Sequence, residues 1–74
     1  MSASVSPDDL TEEEDGYIRG VYADATRMAP NFGKRLDSYQ QFLNCFSLNE
    51  LHDMADLLRR RQPINPAYVM SKLR

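Results

Sequence analysis

The stretch SLNELHDMADLLRRR, residues 47–61, decides the fold class of this chain. Ser47 and Glu50 have the S-x-x-E spacing of a capping box, in which each side chain bonds the backbone amide of the other residue. Apolar residues then recur at intervals of three and four, which places them on one face of a helix. They are Leu48, Leu51, Met54, Ala55 and Leu58. Three arginines close the stretch, where cations stabilise the last carbonyl groups, and Gln62-Pro63 ends the predicted helix.

The apolar face of this predicted helix is wider than one neighbouring helix can cover. Leu57 lies outside the main stripe, and with it the apolar arc spans roughly half of the circumference. We therefore predict that residues 47–61 form both the centre of the core and the edge of a binding surface. Leu57 marks the transition between the two.

A second capping box, Thr11 with Glu14, predicts a first long helix that runs to about Met28 and stops at Pro30. Its apolar stripe is narrow and suits one packing interface. The members of the stripe are Ile18, Val21, Tyr22, Ala25, Met28 and Ala29. The opposite side carries the small residues Gly16, Gly20 and Ala23. One interpretation is that a partner approaches the backbone closely there. The other is that Gly20 has no such role and its cost to helix stability is tolerated.

The region between these helices predicts a second helix, capped by Asn31 and running from Phe32 to about Phe46. Its stripe consists of Phe32, Leu36, Tyr39, Phe42, Leu43 and Phe46. Asn65 followed by Pro66 predicts a short final helix over residues 66–73. All four segments have the helical period, and none alternates apolar and polar residues as a strand does. The sequence therefore predicts an all-α fold: a small bundle of three amphipathic helices plus a short C-terminal helix, over residues 11–74. Residues 1–10 are predicted to form a flexible, acidic N-terminal tail.

Length and composition set limits on stability and location. A chain of 74 residues makes one domain at most, and it buries only about 60% of its unfolded surface. Cys45 is the single cysteine, so no disulfide can form within the chain, and a lone thiol fits a reducing compartment. The sequence has no apolar run of the about 20 residues that span a membrane, and no signal-peptide pattern. We expect a cytoplasmic protein stabilised by self-association or by a partner.

The net charge of −2 is unevenly distributed. Residues 1–15 hold six acids and no base, whereas residues 16–74 hold nine bases and five acids. One interpretation is an acidic helix start on an ordinary solvated surface. The other is an acidic arm that folds over the arginine cluster until a partner competes.

The residue types that carry catalysis or bind metals do not form a recognisable set. His52, Asp53, Asp56 and Cys45 lack the number and spacing of zinc ligands. Cys45 and His52 have no third group to orient them as a nucleophile and base, and the three glycines form no phosphate-binding loop. We therefore predict a protein that is not an enzyme, with no cofactor, no metal site and no small-molecule substrate.

Nucleic-acid binding is the alternative function. The predicted second and third helices superficially resemble a helix-turn-helix, but the N-terminal half of the third carries Glu50, Asp53 and Asp56, which would repel phosphates. A basic edge could still contact phosphates without reading sequence. Its members would be Arg59, Arg60, Arg61, Lys72 and Arg74, together with Lys34 and Arg35.

The favoured prediction is a small protein-protein interaction module: an adaptor, an inhibitor or a regulatory subunit. Compact helical chains of this kind are common among bacterial and phage regulators. The large apolar residues left over after the stripes are assigned, and the arginines, would dock a helix face onto a partner. The predicted partner-binding residues are Tyr17, Gly20, Leu57, Arg59, Arg60, Arg61, Ile64 and Tyr68. The same residues could equally seal a homodimer.

Overall fold

Residues 5–73 contain four α-helices and two short 3₁₀ turns. The computed structural model describes residues 5–73. The helices are α1 (Glu12–Met28), α2 (Tyr39–Leu43), α3 (Leu48–Arg59) and α4 (Pro66–Lys72), with 3₁₀ turns at Pro7–Asp9 and Ala29–Phe32. No strand occurs within residues 5–73. The predicted all-α fold is therefore confirmed.

Both predicted capping boxes are present and fix the starts of α1 and α3. The Thr11 hydroxyl accepts from the Glu14 amide at 3.1 Å, while the Glu14 carboxylate accepts from the Thr11 amide at 3.0 Å. Ser47 and Glu50 make the equivalent pair at 3.1 and 2.8 Å. Each box satisfies two backbone donors that a helix start would otherwise leave free.

The prediction of one helix from Phe32 to Phe46 is wrong. Asn31 lies inside the Ala29–Phe32 3₁₀ turn instead of capping a helix, and Gly33 follows in the left-handed region with φ of 69°. The chain then has no regular structure until Ser38, whose hydroxyl caps the five-residue helix α2. Phe32 is 54% exposed, so it is outside the core that it was predicted to fill.

The N-terminal boundary of the domain also differs from the prediction. Ser6 and Asp9 form a small capping box around the first 3₁₀ turn, and Val5 and Leu10 on either side of it are buried. Residues 5–10 therefore pack against the domain, because these two apolar side chains bracket the turn and reach the core. The rest of the predicted flexible tail, residues 1–4, lies outside the described residues.

The core forms where α1 and α3 pack together, with α2 and α4 closing it. The largest fully buried side chains are Phe42, Ile18, Leu43 and Leu51. Phe42 lies between two aromatic neighbours, with ring centroids 5.6 Å from Tyr22 and 5.0 Å from Phe46. Val69, Met70 and Leu73 of the C-terminal segment are buried as predicted, while Tyr68 is 36% exposed.

The end of α3 is held by a left-handed residue that is not glycine. Arg60 caps the helix and Arg61 follows with φ of 61°. The Arg61 amide donates to the Leu58 carbonyl at 2.9 Å, and the Gln62 amide donates to the Leu57 carbonyl at 2.8 Å. This is the Schellman arrangement, which usually places glycine where Arg61 stands.

Arg61→Gly is expected to raise the free energy of unfolding by about 1 kcal/mol, because glycine adopts the left-handed conformation without the steric cost of a Cβ atom. Urea unfolding at neutral pH measures the change. Arg61→Ala is the matched control, since it removes the same charge but keeps the Cβ atom and should bring no gain. Equal effects of glycine and alanine would show that charge, not backbone conformation, governs this position.

Candidate docking groove

An open groove lies between α1 and the segment from the end of α3 to α4. It encloses about 860 Å³, within the range of sites that bind ligands or side chains of a partner. Its first wall comes from α1: Gly16, Tyr17, Gly20, Val21, Ala23, Asp24, Ala25, Arg27 and Met28. Its second wall consists of Leu58, Ile64, Pro66, Val69 and Met70.

Two glycines leave gaps in the α1 wall of this groove. Gly16 and Gly20 are exposed helical residues, and a Cβ atom added at either would meet no other atom within 4 Å. The wall is therefore low at these positions because side chains are missing, not because another element covers it. The facing wall is fixed locally: the Asn65 side chain accepts from the Ala67 amide at 2.9 Å, and Pro66 begins α4.

Two charged side chains line the groove, and they neutralise one another. Asp24 and Arg27 form an ion pair one turn apart on α1, with side chains 64% and 77% exposed. All the other lining residues except Tyr17, which carries a hydroxyl, have apolar side chains or none. The groove is thus an apolar, electrically neutral concavity with a polar pair at its edge.

The structure brings together three of the predicted partner-binding residues. Tyr17, Gly20 and Ile64 all line the groove. Leu57 and Tyr68 lie outside it, with 38% and 36% of their surfaces exposed. The Tyr68 hydroxyl donates to the Glu50 carboxylate at 3.2 Å, so this tyrosine is tied to α3.

The arginines at the end of α3 are partly neutralised within the chain. Arg59 and Arg60 both bond Asp56, at 2.6 and 3.0 Å. The bond from Arg59, with the charge of Arg60, lowers the pKa of the Asp56 carboxyl. Arg61 sits in the left-handed turn described above and is exposed.

The basic edge predicted for nucleic acid does not form one cluster among the described residues. Lys72 pairs with Glu50 at the start of α3, while Arg59 stands nine residues further along the same helix. At about 1.5 Å per residue, the backbone positions of Glu50 and Arg59 are roughly 13 Å apart along the helix axis. Lys34 donates to the Leu73 carbonyl at 3.2 Å, Arg35 pairs with Asp37, and Arg74 lies outside the described residues.

Two acids at the start of α1 bond elements other than the arginine cluster, whereas Glu13 shares a small cleft with Arg59. The Glu14 carboxylate meets His52 Nδ1 at 2.6 Å and so joins α1 to α3. The Thr11 amide, and then His52, lower the pKa of Glu14. Asp15 accepts from Arg19 at 2.8 Å and from the Tyr39 hydroxyl at 2.7 Å, which joins α1 to α2.

The potential metal ligands and nucleophiles within residues 5–73 contact neighbouring side chains or backbone rather than forming a cluster. No three His, Cys, Asp or Glu side chains converge there as metal ligands do. The Cys45 thiol is half-buried and donates to the Gln41 carbonyl at 3.4 Å. His52 is engaged by Glu14. The groove remains as the candidate recognition site.

Gly20→Ala is expected to raise the free energy of unfolding by about 0.5–1 kcal/mol, because alanine restricts the unfolded chain and favours the helix. The added methyl meets no neighbour. Thermal and urea unfolding measure the change. Gly33→Ala is the contrasting variant: its φ of 69° strains alanine, so it should destabilise. A loss of stability in Gly20→Ala would mean that the α1 backbone at Gly20 is not helical.

Comparison with known protein families, with characterised proteins and with solved structures found no match. No helix within residues 5–73 is long and apolar enough to cross a membrane. A proposal for function therefore rests on the geometry of the groove.

Proposed function

We propose that the protein is a small non-enzymatic interaction module that binds an amphipathic helix of a partner protein in the groove between α1 and residues 58–70. The observation that carries this proposal is the cavity of about 860 Å³, with walls that are almost entirely apolar. A protein of this kind acts as an adaptor, an inhibitor or a regulatory subunit, because its activity consists of occupying a partner's surface.

The shape of the groove favours a helix as its occupant. α1 has 17 residues, which at about 1.5 Å per residue gives a wall roughly 25 Å long. The low wall at Gly16 and Gly20 allows a partner backbone to approach closely. Side chains at positions i, i+3 and i+4 of the partner would then fill the space beside Ile64 and Met70. Tyr17 is the expected anchor, since tyrosine is enriched among residues that dominate binding energy.

The charges at the groove also favour docking over catalysis. Asp24 and Arg27 are largely exposed and paired with each other, so neither is desolvated as a catalytic acid or base would be. When a partner helix binds, Asp24 and Arg27 can each pair with an oppositely charged side chain of that helix at the edge of the groove. The free thiol of Cys45 fits a reducing compartment, and we propose the cytoplasm as the location.

The test fills the groove without disturbing the fold. Gly20→Leu adds an isobutyl group to the α1 wall of the groove, at a position with open space. Thr26→Leu adds an equivalent side chain at an exposed position of α1 that does not line the groove. Both variants should keep the helical circular dichroism of the native protein. Affinity capture from cells that express the protein should recover a partner with the native protein and Thr26→Leu.

Gly20→Leu should weaken that capture by at least about tenfold, the equivalent of 1.4 kcal/mol. Leu57→Asp and Arg60→Ala test the other predicted surface, outside the groove. If the partner is retained by Gly20→Leu and lost with these two variants, the binding site is the end of α3 and the groove proposal fails. A partner retained by all four variants would also contradict it.

A further inference from the structure

The charges along α1 identify an occupant for the groove. We infer that it is α1 of a second copy of this chain, running antiparallel, with the two-fold axis of the dimer at Gly20. This inference rests on the proposed function, because it names the helix that the same groove binds. A two-fold interface is formed by the same patch on both copies, so the patch must be complementary to itself.

Glu13, Gly20 and Arg27 meet this requirement. They are spaced by seven residues, which places each within about 20° of the next around the helix. When two copies of α1 pack antiparallel with Gly20 facing the partner's Gly20, each residue before Gly20 is level with the partner residue equally far after it, and the two face each other where both lie on the contact face, as residues seven positions from Gly20 do. Glu13 then faces the partner's Arg27, about 10 Å from the axis. The symmetry gives two such ion pairs, one at each end.

Side-chain sizes follow the same register. At about 100° per residue, Tyr17 and Asp24 lie on one side of Gly20 around the helix, and Gly16 and Ala23 lie on the other. The two-fold axis brings like sides together, so Tyr17 lies beside the partner's Asp24 and Gly16 lies beside the partner's Ala23. The small residues on the second side allow the two backbones to approach closely. All these positions lie on the groove side or the outer face of α1, where no other element within residues 5–73 covers the glycines.

Glu13 and Arg27 are both exposed, and each has one oppositely charged neighbour in its own chain. Glu13 lies near Arg59, which itself bonds Asp56. The Arg27 side chain is 77% exposed, with Asp24 as its ion-pair partner. An exposed pair within one helix gains little, because water screens it. A second carboxylate from the partner would enclose the guanidinium. Dimer formation also offsets the small core of a 74-residue chain.

Charge reversal tests the register through sedimentation of the full chain. Glu13→Arg places a second guanidinium against the partner's Arg27, and Arg27→Glu places two carboxylates together at the same contact. Each single variant should dimerise at least about tenfold more weakly than the native protein. In each variant homodimer, like charges meet at both ends. An equimolar mixture of the two variants should therefore form a heterodimer in preference to either homodimer, because the heterodimer has no such contact.

The heterodimer has one end where the two introduced side chains, a guanidinium and a carboxylate, face each other. At its other end the native Glu13 of one copy faces the native Arg27 of the second. Both contacts therefore join opposite charges, and the affinity of the mixture should return to near that of the native protein.

Every other outcome counts against the inference. A native chain that is monomeric at about 100 µM, far above the dissociation constants of specific complexes, overturns it. So does a dimer that survives both reversals, or one that the reversals break and the mixture does not restore. The proposed function is judged separately: capture of a different protein that Gly20→Leu abolishes would retain the groove as a docking site and discard the second copy as its occupant.

Discussion

Phe42→Ala is expected to lower the free energy of unfolding by about 3–5 kcal/mol, the largest effect of any single truncation in this domain. Phe42 is fully buried and packs between the rings of Tyr22 and Phe46. Its removal leaves a cavity at the junction of α1 and α2 that neighbouring side chains cannot fill. The free energy of unfolding of a domain of this size is only about 5–10 kcal/mol, so much of the variant should be unfolded near physiological temperature. Urea unfolding followed by circular dichroism measures the loss.

Phe32→Ala is the matched control for this prediction. It removes the same ring from a position that is 54% exposed, and it should cost less than about 1 kcal/mol. The pair of variants also tests the architecture between α1 and α3. A continuous helix over residues 32–46 would bury both rings, so comparable losses from both variants would contradict the short helix α2.

The helix starts could be predicted from the sequence because their determinants are local. The Thr11–Glu14 and Ser47–Glu50 boxes need only three residues of spacing, and both are formed. The apolar stripes of α1 and α3 have the helical period, and their central members are buried. Local chemistry and tertiary packing agree in these segments, so sequence spacing is sufficient.

The segment after α1 could not be predicted in the same way because its aromatic spacing is misleading. Phe32 and Leu36 are four residues apart, which suggested one helical face. Gly33 is the residue that decides the conformation: its left-handed φ of 69° ends the turn, and the Lys34 amide donates to the Ala29 carbonyl at 2.8 Å. A glycine soon after a proline was the available signal for this stop.

The candidate site was only partly predictable from the sequence. The prediction includes Tyr17 and Ile64 as large apolar residues outside the core stripes, and Gly20 as a member of the small-residue side of α1. All three line the groove. Met70 and Leu58 were assigned to the core, yet they also form a wall of the groove. Their second role depends on where residues 62–66 place α4 beside α1, and that placement is a tertiary property with no local sequence signal.

Acid is expected to destabilise the protein through Glu50 more than through any other single carboxyl group. One Glu50 oxygen accepts from the Ser47 amide; the other accepts from the Tyr68 hydroxyl and pairs with Lys72. The ion pair with Lys72, followed by the bond from Ser47, lowers the pKa of Glu50 to about 2 from its ordinary value of 4.5. This carboxylate therefore fastens the start of α3 to α4 only while it is ionised.

The direction of the pH dependence follows from that lowered pKa. Because Glu50 is a stronger acid in the folded than in the unfolded protein, its stabilisation is complete above about pH 4.5 and is lost as the pH falls toward 2. A shift of this size corresponds to roughly 3 kcal/mol at most, and solvent screening at this partly exposed pair reduces it to about 1–2 kcal/mol. The pKa values of Glu14 and Asp15 are lowered as well, so acid weakens their contacts in the same direction.

Glu50→Gln separates the charge of this residue from its capping role, because glutamine can still accept from the Ser47 amide. The variant should be about 1–2 kcal/mol less stable than the native protein near pH 7 and nearly equal to it near pH 2, when measured by urea unfolding. Asp53→Asn on the exposed side of the same helix is the control, and it should keep the native pH dependence. If the difference between native protein and Glu50→Gln stayed constant from neutral to acid pH, the lost free energy would come from the cap or from packing, and the Glu50–Lys72 contact would not be the acid-sensitive link between α3 and α4.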